Sequence, residues 1–165
     1  MKKKVIFGAV IFILCVALAG IYWFVSRDRR AVINMVQELA DSLFLKSGRP
    51  AHEGVLKHQK VGEFFAERIS IRIVDPEISK DVSNEELVQY AAIFFRQADS
   101  LEIKTQDVAA EVAGEEATFS CDAEIYCTVK NSGDEMSGVY RISGSAEKID
   151  GNWKISSIVI EPVIK

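Results

Sequence analysis

The sequence has few of the residues that usually mark a catalytic or metal-binding site. It contains two histidines, His52 and His58, and a spacing of six residues would place them on different sides of a helix, where they could not share a metal ion. It contains no Gly-x-Ser-x-Gly, no glycine loop for phosphate and no Cys-x-x-Cys. These absences argue against nucleophilic hydrolysis, nucleotide binding and a zinc ribbon. No metal and no cofactor is therefore expected.

The chain has only three cysteines, and one of them, Cys15, lies in an apolar segment. Cys121 and Cys127 fall on one face of a predicted strand, so about 20 Å separates their backbones. A disulfide needs Cα atoms within about 7 Å of each other. The two thiols therefore cannot pair, and we expect them to be small buried hydrophobic residues.

Charge is distributed unevenly along the chain, whose net charge is −4. Residues 1–30 carry six of the 20 lysines and arginines and one of the 24 acidic residues. The remainder therefore has 14 basic and 23 acidic residues, a net charge of −9. A domain this acidic would be repelled by a phosphate backbone, which argues against nucleic acid as a partner.

The longest apolar run extends from Val5 to Val25, 21 residues without a charge. As a helix it would span about 31 Å, the thickness of a hydrocarbon core, and Tyr22 and Trp23 lie where interfacial aromatic residues belong. We predict a single-pass transmembrane anchor over 5–25. The alternative is a signal peptide cleaved near Ala19, which would give a secreted protein.

The basic flanks of this run divide the rest of the chain. Residues 1–4 form a basic N-terminus, 26–30 a basic juxtamembrane segment and 31–165 one folded domain. Because the positive charge before the run slightly exceeds that after it, we expect a cytoplasmic N-terminus and an extracytoplasmic domain, periplasmic in a bacterium with two membranes.

Three amphipathic helices and one short strand are predicted in the first part of the domain. The first helix covers about 29–46, and Ser47-Gly48-Arg49-Pro50 ends it. The second covers 52–68, and a strand over 69–74 follows. Ser83-Asn84-Glu85-Glu86 forms a capping box that opens the third helix, to about Ala98. The apolar side chains at helical spacing are Val32, Met35, Val36, Leu39 and Leu43, then Leu56, Val61, Phe64 and Phe65, then Leu87, Ala91, Phe94 and Ala98.

Residues 101–160 read as four β-strands joined by tight turns. From 117 to 130 apolar and polar residues alternate strictly, which is the period of a half-buried strand. Turn residues that tolerate positive φ separate the strands, and Asp150-Gly151 is the sharpest of these signals. The pattern predicts an antiparallel meander.

The order of two helices, a strand, a third helix and a four-stranded meander resembles the nuclear transport factor 2-like superfamily. The closing Asp150-Gly151-Asn152-Trp153-Lys154-Ile155 is similar to that group's last hairpin. The resemblance implies an α+β cone with element order ααβαββββ, in which three helices pack on a curved, mostly antiparallel sheet. It also implies a pocket between the sheet and the helices. Such folds host isomerases, dehydratases and epoxide hydrolases as well as assembly domains, so the fold does not choose a function.

Two functional hypotheses follow. The first is a membrane-anchored, non-enzymatic domain that binds a protein partner or forms a homodimer. No catalytic residue is assigned, because Asp122, Glu124 and Glu147 lie on the polar strand faces. The second is a pocket that binds or converts a small apolar ligand, to which Tyr90, Tyr126 or Tyr140 could donate a hydrogen bond. Its candidate lining residues are Phe94, Phe119, Cys121, Tyr140 and Trp153.

Overall fold

The computed structural model describes residues 25–48, 51–130 and 132–163, without the side chains of 51–56. The first described element is helix α1, residues 25–43. The others follow in chain order: α2 (Ala51–Gly62), β1 (Phe65–Ile73), β2 (Ile78–Ser83), α3 (Asn84–Gln97), β3 (Ala98–Ala113), β4 (Glu116–Val129), β5 (Glu135–Ile149) and β6 (Asn152–Pro162).

The strands form one curved sheet in the order β2-β1-β6-β5-β4-β3, so β2 and β3 are its two edges. β1 is parallel to β6, and the other neighbouring strands are antiparallel. The predicted α+β class and the mostly antiparallel sheet are confirmed. The antiparallel meander consists of β3 to β6. β1 extends the sheet by pairing with β6, the last strand of the meander.

The turns of the meander have the backbone conformation that their residues predict. Asp150 and Gly151 have φ values of 50° and 80°, and Gly114 and Gly133 have 68° and 70°. Left-handed conformations at two consecutive residues suit the twist of a two-residue hairpin. The tight β5–β6 turn sets the pairing of Trp153 with Lys148 and of Ile155 with Ala146.

The hydrophobic core lies between one face of the sheet, which we call the concave face, and the helices. α1 contributes Val32, Met35 and Val36, and the sheet contributes Phe119 and Ile155, all at most 8% exposed. The alternation predicted for β4 is confirmed, since Phe119, Cys121, Ala123 and Cys127 are all buried. The strict period of two therefore identifies the face that packs against the helices.

The second predicted helix was too long, and one strand was missed. α2 ends at Gly62, and Phe65 begins β1, where it pairs with Ile155 of β6. Val61, Phe64 and Phe65 are apolar at helical spacing, which led to the longer prediction. Phe65 is nevertheless extended, because it pairs with β6. β2 was not predicted because Val82 is its only buried residue, so the strand has no alternation to detect. The element order is therefore ααββαββββ.

Helix α3 begins as predicted, and of its predicted buried residues Leu87, Ala91 and Ala98 pack in or against the core, whereas Phe94 does not. The Ser83 Oγ accepts a hydrogen bond from the Glu86 amide at 3.2 Å, and the Glu86 carboxylate accepts one from the Ser83 amide at 2.9 Å. This capping box is confirmed. The prediction that Phe94 is buried was wrong, because Phe94 is 41% exposed and the neighbouring Phe95 is 2% exposed.

The predicted anchor at 5–25 lies outside the described residues, apart from Val25. No helix in the described ranges is long and apolar enough to cross a membrane. Helix α1 is held against the sheet near its described start by an ion pair. The Lys148 Nζ lies 2.9 and 3.0 Å from the two carboxylate oxygens of Asp28, and both side chains are mostly buried.

Candidate functional site: an open cleft beside α3

Helix α3 crosses the concave face of the sheet from one edge to the other. It starts directly after β2 and ends directly before β3, the two edge strands. Phe95 belongs to the core, and Leu87 and Ala91 pack against it, so the helix crosses on the core side. α3 therefore divides this face into a part packed against α1 and a part near the β1–β2 turn.

The part near the β1–β2 turn is apolar and incompletely covered. The strand register places Ile73 of β1 opposite Ile78 of β2 and beside Ile160 of β6. Ile160 in turn pairs with Ile142 of β5, and Tyr140 is the next residue of β5 on that face. Ile78 is 48% exposed, and Ile73, Ile160 and Tyr140 are partly exposed.

A glycine makes room for the aromatic ring on this floor. A Cβ atom at Gly138 would lie 2.7 Å from the ring of Tyr140, which is two residues further along β5. The two residues share a face of the strand. The absence of a side chain at Gly138 therefore lets the Tyr140 ring lie along the sheet.

The outer face of α3 carries a stripe of exposed side chains, one of which contacts Lys80 at the edge of this floor. Tyr90, Ile93 and Phe94 follow helical spacing and are 46%, 45% and 41% exposed. The Lys80 Nζ donates a hydrogen bond to the Tyr90 hydroxyl at 2.6 Å, which places this stripe on the β1–β2 side of the helix.

We call this region the open cleft. It consists of the floor residues Ile73, Ile78, Tyr140 and Ile160 together with Tyr90 and Phe94 of α3.

A cation lies at the rim of the open cleft. The Lys80 Nζ is 4.9 Å from the centroid of the Tyr90 ring as well as bonded to its hydroxyl. This hydrogen bond, more than the charge of Glu86, raises the pKa of Lys80 above its ordinary value. Lys80 therefore stays protonated throughout the physiological range.

The structure separates the five predicted pocket residues into two groups. Phe94 and Tyr140 belong to the open cleft, whereas Phe119, Cys121 and Trp153 lie in the core. Burial raises the pKa of the Cys121 thiol to about 11. The indole Nε1 of Trp153 is buried and has no hydrogen-bond partner within the described part of the chain. A single pocket lined by all five stays a prediction.

The carboxylates considered for catalysis lie on the other, convex face. Asp122 accepts hydrogen bonds from the Arg141 guanidinium at 3.0 and 3.3 Å, and this lowers its pKa. A general base at neutral pH needs the opposite shift. Glu124 accepts a long hydrogen bond from Tyr126 at 3.4 Å, and Glu147 is exposed.

A second apolar surface lies at the end of the sheet near the β4–β5 turn. A cavity of about 510 Å³ is lined there by residues that include Phe44, Tyr126 and Met136. These three side chains are 45%, 45% and 63% exposed. We call them the end surface, and they lie beside the point where Leu45 forms a single β-bridge with Leu101 of edge strand β3.

Four residues of this region were not predicted from the sequence as parts of a site: Lys80, Ile73, Ile78 and Ile160. Lys80 and Ile78 belong to the strand that was not predicted. Ile73 and Ile160 meet only because β1 and β6 pair in parallel across about 90 residues of sequence. Local periodicity carries no signal for such a pairing.

Comparison with known proteins agrees with this architecture. The sequence profile of the SnoaL-like domain matches residues 61–164, well over half of the chain. The chain belongs to the SnoaL-like domain family. A search of curated proteins found no match. The predicted membership of the nuclear transport factor 2-like superfamily is confirmed for the domain.

Solved structures share the fold of this SnoaL-like domain at low sequence identity. A candidate aromatic ring hydroxylase from Novosphingobium aromaticivorans superposes with a TM-score of 0.69 at 13% identity, covering 84% of this chain and 91% of that one. A candidate dehydratase of the NTF2-like family from Streptomyces avermitilis gives 0.64 at 14% identity, covering 85% and 99%.

A candidate association domain of a calcium/calmodulin-dependent protein kinase II from Xanthomonas campestris gives a TM-score of 0.61 at 15% identity, covering 82% and 88%. At such identities the three structures show the fold alone.

Proposed function

We propose that this SnoaL-like domain is a membrane-anchored, non-enzymatic binding domain whose open cleft holds a small apolar molecule. The observation that carries the proposal is the incompletely covered floor of Ile73, Ile78, Tyr140 and Ile160 beside the exposed aromatic residues of α3. Concave apolar surfaces with a few polar groups are typical of small-molecule sites. The hydroxyls of Tyr90 and Tyr140 would supply those polar groups.

Binding without catalysis fits the residues of the open cleft. None of its six defining residues is a carboxylate or a histidine, the groups that most often transfer protons in enzymes. Similarity to a candidate dehydratase and a candidate ring hydroxylase supports a small molecule as the occupant, because both names imply that those proteins act on one.

A second candidate function is assembly with a protein partner or a second copy of the chain. The end surface of Phe44, Tyr126 and Met136 favours it, because three large apolar side chains are exposed around one cavity. Aromatic residues and methionine are enriched at protein interfaces. The candidate association domain from Xanthomonas campestris has the same fold.

The membrane anchor at 5–25 and an extracytoplasmic domain are part of the proposal. α1 is already helical at residue 25, where the apolar run ends. The ion pair of Asp28 with Lys148 holds the helix three residues further on, so the domain would follow the anchor without a flexible spacer.

Native mass spectrometry of the full-length protein released from mild detergent tests these proposals together. We expect a co-purifying small molecule in a one-to-one complex and a protein mass that retains residues 1–24. In Phe94→Ala and Tyr140→Ala variants the adduct should fall at least about tenfold, because each removes a large part of the contact area.

Met136→Ala, on the end surface, is the matched control and should keep the adduct. A ligand-free dimer or mixed complex that disappears in Met136→Ala would favour assembly over the ligand. A mature chain that starts at Gly20 would contradict the anchor.

A further inference from the structure

The open cleft carries positive charge on an otherwise apolar face. Among the paired residues of β1, β2, β4, β5 and β6, the register places two charged side chains on the concave face, and both are lysines. One of them, Lys148, is neutralised by Asp28 at 2.9 Å. The other, Lys80, forms no ion pair with a carboxylate in the described part of the chain.

Lys80 lies where it can reach an occupant of the open cleft. It is opposite Ile71 and two residues from Ile78 on the same face of β2. Its ammonium has three donors, and the hydroxyl of Tyr90 accepts one hydrogen bond. The carboxylate of Glu86 is engaged by the Ser83 amide at 2.9 Å and does not contact Lys80. The cation is therefore available to an anion from solvent.

We propose that the open cleft selects an amphipathic monoanion, an apolar body that carries one carboxylate. The body lies on Ile73, Ile160 and Tyr140, and the carboxylate accepts a hydrogen bond from Lys80 at the rim. This inference rests on the proposed function and adds the class of ligand to it. A charge-assisted hydrogen bond is about twice as strong as a neutral one, so a neutral molecule of the same shape binds more weakly.

Two probes of nearly equal shape test the inference: 2-naphthoate and 2-naphthylmethanol. Their affinities for the full-length protein in lipid nanodiscs are measured by isothermal titration calorimetry, with empty nanodiscs as the blank. We expect naphthoate to bind about tenfold more tightly, the factor that separates a charged from a neutral hydrogen bond. Lys80→Met should remove this preference by lowering the affinity for naphthoate about tenfold more than the affinity for the alcohol.

Lys104→Met is the matched control for charge. The Lys104 Nζ lies 5.4 Å from the centroid of the Tyr126 ring on the convex face, a lysine–tyrosine contact like that of Lys80 with Tyr90. The preference for naphthoate should persist in this variant. Its loss there would show a general effect of net charge and overturn the inference.

The outcomes separate the inference from the function on which it rests. Equal affinities of the two probes for the wild-type protein would overturn the role of Lys80 and leave the apolar cleft intact. Failure of both probes to bind would overturn the cleft itself as a small-molecule site.

Discussion

Gly144→Ala destabilises the protein by at least about 3 kcal/mol, near the upper end of the cost of inserting a methyl group into a packed core. A Cβ atom at Gly144 would lie 2.1 Å from the carbonyl oxygen of Ser157 and 2.6 Å from the ring of Phe119. The first contact is with backbone of the neighbouring strand β6, which cannot move without breaking the sheet. The ring of Phe119, paired across the strands with Gly144, fills the space that the glycine leaves.

Urea unfolding of the full-length protein in mild detergent measures this effect. In a Trp23→Phe background the fluorescence reports on Trp153 alone, since the chain has two tryptophans. Two controls separate the clash from other effects. Gly138→Ala meets only the movable ring of Tyr140, and Ser143→Ala lies on the convex face, so each should cost under about 1 kcal/mol. Equal losses in Gly144→Ala and Gly138→Ala would contradict the packing account.

Asn84→Ala has the second large expected effect, a loss of about 2–3 kcal/mol, because it leaves partly buried carbonyl groups without a donor. The two hydrogens of the Asn84 Nδ2 are shared among the carbonyl oxygens of Gly62, Phe65 and Ala66, which lie 2.9, 3.0 and 3.2 Å from the nitrogen. One side chain at the start of α3 thus holds the end of α2 and the start of β1. The same urea titration measures the change.

Gln89→Ala is the control for a substitution in the same helix. Gln89 is exposed, and alanine favours a helix, so the free energy of unfolding should change by less than about 0.5 kcal/mol. If Asn84→Ala were as mild as Gln89→Ala, the hydrogen bonds of the Asn84 amide would not be what fixes α3 to the rest of the domain.

The parts of the fold that depend on local pattern could be predicted from the sequence. The alternation in β4 identifies its buried face, Asp150-Gly151 identifies the last hairpin, and Ser83 with Glu86 identifies the start of α3. Each of these signals lies within about a dozen residues, and the physics that produces it acts over the same distance. The order of the helices and strands predicted from these signals was sufficient to identify the α+β fold class.

The features that were predicted wrongly or not at all depend on contacts between segments that are distant in the sequence. Phe65 follows helical spacing, but its conformation is set by pairing with Ile155 in the last strand. Phe94 and Phe95 are adjacent and equally apolar, and only the way α3 packs on the rest of the domain decides which one is buried. The open cleft could not be predicted for the same two reasons. It depends on which strands pair and on which face of α3 is exposed, and residue spacing in the sequence shows neither.

Fluorine NMR of the full-length protein labelled with 3-fluorotyrosine shows whether a small molecule binds in the open cleft. The chain has four tyrosines; Tyr90 and Tyr140 lie in the open cleft and Tyr126 on the end surface, and Tyr→Phe variants assign their resonances. With saturating 2-naphthylmethanol, we expect the resonances of Tyr90 and Tyr140 to shift while that of Tyr126 stays in place. A shift of Tyr126 alone, or no shift at any of the three, would contradict the open cleft as the binding site.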